Sequence, residues 1–585
     1  MKKALLASAL ALAGVPSLHA EEWVVEARYP DRAALARVAA RFQHVAVDPE
    51  RRVLRVDTDD AGIRRLEAEG LAVSVDVAAT AQVRAFQANL QDALRSTAPQ
   101  ITAGGYPGIP GFPCYRTVEG TYQTMDDLAS SRPDLAEIHE IGPTWQKTQD
   151  PAQGYGMRAL RVTRLDTAAA APDRPRMVLF GSIHAREYTP AELLTRLAEW
   201  LVNGYGSDPR ATWLVDHVDF RFVLQANPDG RKKAEGGIRW RKNTNTVDGA
   251  CPGTPSDFMQ PGIDLNRNFP FHWNTTGGEG SSDWTCDETF HGPSAGSEPE
   301  TRNLVTYVAG TPGVDGIYSG GALPDRRADD LATPAPDDYA GLFFDIHSYS
   351  RLVLWSWGDV ASPAPDDVPL RTLGRRLAWF NSYRPQTAYE LYATDGTTDD
   401  TFYGLLGAPS YTIELGTSFF ESCSSFTAST YPLNLAALTY AARSAQAPYR
   451  LPGGPDAYDI TATAPQEGAG GLFTTVSATI DDTRLSRANG SQSPRTVLGA
   501  NAYVDTAPWE PGAVAIPLTT TDGQFDGTKE NVRADIPLDR LAPGPPPGLR
   551  SGRQFLRTRR AGRGVRRRTG IERPHLRRRL RVLNR

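Results

Sequence analysis

The sequence predicts an α/β protein: a mixed central sheet flanked by helices, with a small α/β unit before it and a β-sandwich after it. Three observations carry that reading. Across 113–450, apolar strand-like runs alternate with helical patterns, as expected of a sheet whose faces are covered. Residues 22–77 fit the order β-α-β-α-β. Residues 455–545 hold short extended runs and turns marked by DD, NG and DG, with no helical period.

Each element has its own reason. WVVEARY opens the first unit as a strand, and DRAALARVAARF follows as a helix behind Asp31 as N-cap. VLRVDT alternates as a strand, DDAGIRRLEAEG reads as a helix ending at Gly70, and LAVSVDV closes the unit. With a connecting helix from AQVRAFQANLQDALR, this unit spans 21–98. The Gly- and Pro-rich stretch at 99–112 is an exposed linker open to proteases. In the main domain, 113–450, strands are expected at MVLFGSI (177–183), VDFRFVLQA (218–226), GLFFDIH (341–347) and SYTIEL (410–415). Helices are expected from Pro190 through LLTRLAEWLV, with the proline in the first turn, and near NLAALTYAARSA. The β-domain spans 451–545 and includes LFTTVSATI and AVAIPLTT. Residues 546–585 lose apolar spacing and read as a disordered basic tail, either a degenerate end or an arm for anionic surfaces.

Composition narrows the function classes. A chain of 585 residues exceeds one compact domain. Hydrophobic residues at 40% and charged residues at 22% exclude wholesale disorder. The net charge of -5 hides fifteen Arg against one acid, Glu572, in 550–585, so the body is acidic and no nucleic-acid partner is expected. MKKALLASALALAGVPSLHA, with Lys2 and Lys3 ahead of an apolar stretch, reads as a secretory leader over 1–20. That places the mature chain outside the cell or in the periplasm. No later run is long and apolar enough for a transmembrane segment. An even four cysteines in an exported chain point to two disulfides, and no C-x-x-C pair supports a zinc cluster. A monomer is expected.

The chemistry-bearing residues lie at strand ends. MVLFGSIHAREYTPAE runs a buried strand into His184 and Glu187 on a turn before a helix. Ligands of open α/β sheets collect beyond the carboxyl ends of strands. Imidazole and carboxylate together suit zinc, although H-x-x-E alone is common. GLFFDIHSYS ends a second strand at His347. Three ligands leave a fourth zinc position for water, as a catalytic site requires. PSYTIEL carries Glu414 inside an apolar run, where a carboxylate needs a partner or a task such as general base. IRWRKNTN contains Arg241, and GIDLNRNFP contains Asn266 and Arg267, a pair suited to gripping a carboxylate.

With these runs assembled, the chain resembles the zinc metallocarboxypeptidases of the funnelin family, the carboxypeptidase A and B type, in their secreted bacterial form. HAREYTP, NPDG, WRKN, GIDLNRNF, CDETFHG, DIHSYS, YATDGTTDD and YTIEL occur in the family's order between Cys114 and Tyr449. The resemblance implies a carboxypeptidase-like fold and one Zn2+ held by His184, Glu187 and His347. It implies Glu414 as the catalytic carboxylate and Arg241 as the group that stabilises the oxyanion. Asn266, Arg267 and Tyr392 would hold the substrate's terminal carboxylate, and Arg186 an outer subsite. Asp399 falls where the family sets side-chain preference; an acid there suits Lys or Arg, though relatives of dual preference exist. The resemblance further implies a disulfide Cys251–Cys286, and with it Cys114–Cys423. By its position, the first unit resembles the propeptide that covers the cleft in the family's zymogens.

The expected function is therefore a secreted zinc exopeptidase, made as a proenzyme, acting on peptide or protein C-termini. The rivals are a peptidoglycan stem-peptide peptidase on the same scaffold and a secreted binding protein with an inactive enzyme domain. A thermolysin-like endopeptidase is disfavoured because H-E-x-x-H is absent.

Overall fold

The computed structural model describes residues 22–538, apart from 43–45, 82, 85–100, 103, 169–170, 172, 254, 256–257 and 329, together with the backbone of 580–584. The leader at 1–20, most of the connecting helix and the tail apart from Leu580–Asn584 lie outside the described residues.

In the N-terminal unit four strands form one antiparallel sheet, in the order Ala46–Asp48, Val53–Thr58, Trp23–Arg28, Ala72–Val75. Its helices, Arg32–Ala39 and Asp60–Ala68, begin where short acids can cap them. Asp31 accepts from the amide of Ala34 and Asp59 from that of Gly62. The strand Ala46–Asp48 is an addition to the expected order; three residues are too few to show alternation.

The centre is an eight-stranded mixed sheet. Its order is Arg384–Thr387, Leu352–Trp355, Ser410–Leu415, Gly341–Ser348, Arg176–Gly181, Asp219–Val223, Gly156–Val162, Ala136–Pro143. Four strands in the middle, from Ser410–Leu415 to Asp219–Val223, run parallel; the sense reverses toward either edge. Helices that include Tyr188–Gly204 and Tyr431–Ser444 cover it, and both central strands Arg176–Gly181 and Gly341–Ser348 are almost wholly buried. This is the buried, apolar-strand geometry that the sequence predicts. Cys114 bonds Cys423 across 309 residues, and Cys251 bonds Cys286. Such bonds belong to an oxidising compartment.

The C-terminal domain is all antiparallel. Its strands run as one hydrogen-bonded sheet, Asp456–Ala462, Gly471–Asp481, Lys529–Pro537, Ile516–Thr520, Ala500–Val504 and Leu580–Asn584. The sheet curls around Val476, Ile480, Val497, Ala502, Val532 and Ile536, so one curled sheet encloses the core expected between two layers. The domain docks on the helix Asp367–Asn381. There buried Arg376 donates to the carbonyls of Pro452 and Gly454 and pairs with Asp456 and Asp482. Among the described residues no helix is long and apolar enough to cross a membrane.

Candidate active site

Three strand ends and three loops build the site at the carboxyl ends of the central parallel strands. The strand Arg176–Gly181 breaks at Ser182, whose φ of +61° turns the chain sharply. His184 and Glu187 then sit on a tight turn, with the amide of Glu187 bonded to the carbonyl of His184. Glu187 occupies the N-cap of the next helix but makes no side-chain cap bond, because its carboxylate turns to the two histidines. The NPDG run explains how the turn is held. Asn227 caps its own helix at Gly230 and donates its amide to the carbonyls of Ile183, Arg241 and Lys242. Gly230 permits this approach, since a Cβ there would lie 2.5 Å from the Lys242 carbonyl.

His347 lies on the parallel strand Gly341–Ser348, one strand away. Its Nδ1 is 3.0 Å from His184 Nδ1 and 3.1 Å from Glu187 Oε2, while His184 Nδ1 is 2.8 Å from Glu187 Oε1. All three side chains are buried. Burial lowers His184. It also works against His347, but Asp345 and Glu187 outweigh it and raise that ring well above the ordinary imidazole range. Glu187 resists burial because the two imidazoles hold it well below the usual carboxylate range. Two imidazole nitrogens and a carboxylate converge on one point, where a divalent cation can take the place of the proton between them. The donor set therefore fits zinc.

Behind each histidine stands a carboxylate that the sequence reading passed over. Asp264 Oδ1 meets His184 Nε2 at 3.1 Å, and its Oδ2 takes both Nε and Nη2 of Arg241, at 3.1 and 2.5 Å. Asp345 Oδ2 lies 3.0 Å from His347 Nε2. Such partners fix ring orientation and ligand basicity. Both acids lie inside quoted runs, GIDLNRNF and DIHSYS, and their only signal was an acid two residues from a site residue.

The remaining predicted residues line one small cavity with the donor set: Arg241, Asn266, Arg267, Tyr392, Asp399 and Glu414. Glu414 stands directly beside His347, because the parallel register pairs the two positions. Its Oε2 and Nη1 of Arg241 are buried without hydrogen-bond partners. Burial pushes the Glu414 carboxyl up to about 8, with Glu187 adding to it while His347 and Arg241 oppose. Arg267 is oriented by the carbonyls of Gly280 and Asn266. Asn266 accepts from the amide of Thr398 and so ties this loop to the Asp399 helix. Asp399 is buried on the pocket wall and accepts from Thr412; burial raises its carboxyl. Arg186 is not among the lining residues: it pairs with Glu288 and stacks over Phe419.

A zinc carboxypeptidase family model matches residues 121–426. The chain belongs to the zinc carboxypeptidase family. Among its relatives, mouse carboxypeptidase A4 is 28% identical over 300 residues, covering 51% of this chain and 59% of the mouse protein. A zinc carboxypeptidase of Saccharothrix mutabilis subsp. capreolus is 27% identical, covering 54% of this chain and 65% of that one. The match thus spans less than two thirds of either relative. In structure, carboxypeptidase A from Helicoverpa armigera aligns with a TM-score of 0.55 at 22% identity, over 74% of this chain and 98% of its own. That likeness establishes the fold. The zinc carboxypeptidase match begins after the N-terminal unit and ends before the β-domain.

The N-terminal unit is seated against this site. Arg239, two residues before Arg241, pairs with Asp57 and Glu22. Arg32 reaches the carbonyl of Tyr389, Arg65 stacks over Trp284, and Thr289 donates to the carbonyl of Ala40. Val47 packs, as Tyr392 does, against the cluster of Leu352, Leu354, Ala388 and Leu391. Beneath these contacts the cavity measures about 50 Å³, space for a few waters and not for a peptide.

Proposed function

We propose that this protein is an exported zinc-dependent carboxypeptidase, made as a proenzyme, that removes single residues from peptide C-termini and prefers Lys or Arg there. One observation carries the reading: Glu414 stands in register beside His347 at a His-Glu-His donor set, on the lining of the same cavity as Arg241, whose Nη1 is unpartnered.

When bound, zinc supplies Lewis-acid polarisation and an acidified water. The chain's own residues do the rest. Arg267, Asn266 and Tyr392 hold the terminal carboxylate by charge-assisted bonds, so only the last peptide bond reaches Glu414. Glu414 takes a proton from water at Oε2 and returns it to the leaving amine; burial raises its affinity for that proton. Arg241 Nη1 donates to the scissile oxygen as it gains negative charge, and losing such a donor costs about 10²–10³ in rate. Asp399 attracts the cationic side chain of the departing residue. The seated N-terminal unit supports the proenzyme reading; the expected linker is exposed only in part, as at Gly104–Gly105, because Gly108–Ile109 forms a strand and Ile109 and Phe112 are buried in the catalytic-domain core.

Mass spectrometry of peptides ending in Arg, Lys, Leu or Phe tests this, using protein trimmed within 99–112, with and without chelator. Single-residue losses abolished by chelator, fastest from Arg and Lys, are expected. Glu414→Gln should keep its zinc and lose nearly all turnover; internal cleavage, or substantial activity in that variant, refutes the assignment.

A further inference from the structure

We propose that the C-terminal β-domain is a working part of the site, and that Asn489 is a positioning residue for Tyr392. The inference rests on the carboxypeptidase reading above for what Tyr392 does, but its geometry stands apart from it.

The loop 486–490 leaves the β-domain between the strands Gly471–Asp481 and Ala500–Val504, and its shape is fixed by one side chain. Arg375, on the helix Asp367–Asn381, donates from Nη1 to the carbonyls of Ser486, Ala488 and Gly490, at 3.0, 3.1 and 2.9 Å, and from Nη2 to that of Asn489 at 2.6 Å. A guanidinium wrapped in four carbonyls leaves the loop little freedom. Asn489 itself takes a left-handed φ of +53°, a conformation asparagine tolerates better than most residues.

Held this way, its side-chain amide faces the edge of the central sheet. It accepts from Arg384 Nη2 at 2.9 Å and donates to the carbonyl of Pro385 at 3.1 Å and to Glu390 Oε2 at 3.0 Å. Arg384–Thr387 is an edge strand paired on one side only, with Leu352–Trp355. The amide bonds the strand's backbone once on its outer side, at the Pro385 carbonyl, and reaches the side chains of Arg384 and Glu390 on either side of it. The strand leads straight into Ala388–Leu391, a helix of four residues, and then Tyr392. One helical turn has almost no stability of its own, so anchors at its ends decide where Ala388, Leu391 and Tyr392, all lining the cavity, stand.

Two such anchors come from outside the catalytic domain. Arg32 of the N-terminal unit stacks over the Tyr389 ring at 4.6 Å and bonds its carbonyl. The other is Asn489. When the N-terminal unit leaves, Asn489 stays, and it holds the Tyr392 segment in the active enzyme.

Asn489→Gly removes the amide while keeping the positive φ without strain. In the zinc-loaded full chain, hydrogen exchange of the amides of 386–392 should quicken about tenfold, the size of one or two lost hydrogen bonds, with exchange in Ala500–Val504 unchanged. Unchanged exchange at 386–392 overturns the brace. In trimmed enzyme the variant should raise KM several-fold with kcat nearly unaltered, and add nothing in a Tyr392→Phe background. An equal KM increase with and without Tyr392 overturns action through that residue. If unmodified trimmed enzyme cleaves no peptide, the carboxypeptidase reading fails, and the exchange result still decides the brace.

Discussion

Asp399 and Glu300 are both buried acids near the centre of the molecule, yet their surroundings give them opposite tasks. Asp399 faces the cavity, where a cationic side chain can supply the missing counter-charge. Asp399→Ser should cut turnover of Arg- and Lys-ended peptides by about 100-fold, while Leu-ended peptides change little. Equal losses on both would assign Asp399 to the scaffold. Glu300 opens the helix Pro299–Ala309, accepts from the amide of Trp145, and has Asn243 and Glu298 beside it. Burial, with Glu298 adding like charge, pushes its carboxyl up to about 8. The folded chain therefore holds a proton that the unfolded chain releases near 4.5. Stability from this group is full below that lower value and is lost as pH rises through about 8. Glu300→Gln carries no titrating proton and can donate toward Glu298. Its unfolding free energy should fall less than that of the unmodified protein between pH 5 and 9, by on the order of a few kcal/mol, read as a smaller drop in melting temperature. Parallel melting curves across that range would contradict it.

Loop contacts are sharper than their sequences suggest. Gly396 lies between Tyr392 and Asp399 with φ +60°, and a Cβ there would sit 2.5 Å from the Arg267 carbonyl. Gly396→Ala must push the Tyr392–Asp399 loop away from the Arg267 loop, because neither neighbour is a flexible side-chain end. KM should rise about tenfold or more, with zinc stoichiometry unchanged, since His184, Glu187 and His347 lie on other segments. A normal KM would show that the loops tolerate the gap. The strand Ser410–Leu415 matches its expected span, and the Asp31 cap is where short-acid chemistry places it. What could not be read is register. Nothing local to SYTIEL says that Glu414 stops beside His347, because pairing between strands some sixty residues apart is set by the whole sheet. Asp264 and Asp345 stayed hidden for a related reason: a charged residue inside a short run reads as solvated until its partner across the fold is seen. The loop around Asn489 has ordinary turn composition, and its reach to Pro385 and Glu390 depends on domain docking alone.

For the whole molecule, the question is what the N-terminal unit does where it sits. Its contacts fall on chain segments that line the cavity or adjoin its lining: Asp57 and Glu22 on Arg239, Arg32 on Tyr389, and Val47 on the cluster that holds Ala388 and Leu391. The first two are polar and exchangeable with water. Val47 packs on the cluster that includes Leu354, Ala388 and Leu391, all of which line the cavity, so it covers apolar surface next to where the peptide would sit. It sits on the short strand Ala46–Asp48 at the edge of its own sheet, where it also packs, partly buried, against the unit's core. If seating is favoured by about 3 kcal/mol, closed molecules outnumber open ones by roughly 100 to 1 and activity falls in proportion. Full-length protein should therefore cleave an Arg-ended tripeptide roughly 100-fold more slowly than protein trimmed within 99–112. Val47→Asp, which places a charge against the cluster of Leu352, Leu354, Ala388 and Leu391, should recover much of that loss without any cut, because an unpaired carboxylate favours the open, wet arrangement. Progress curves for the three proteins at one zinc concentration decide the matter. Equal rates for full-length and trimmed protein would mean that the unit leaves the mouth freely, and slow turnover by Val47→Asp would move the inhibitory contact to the Arg239 ion pairs.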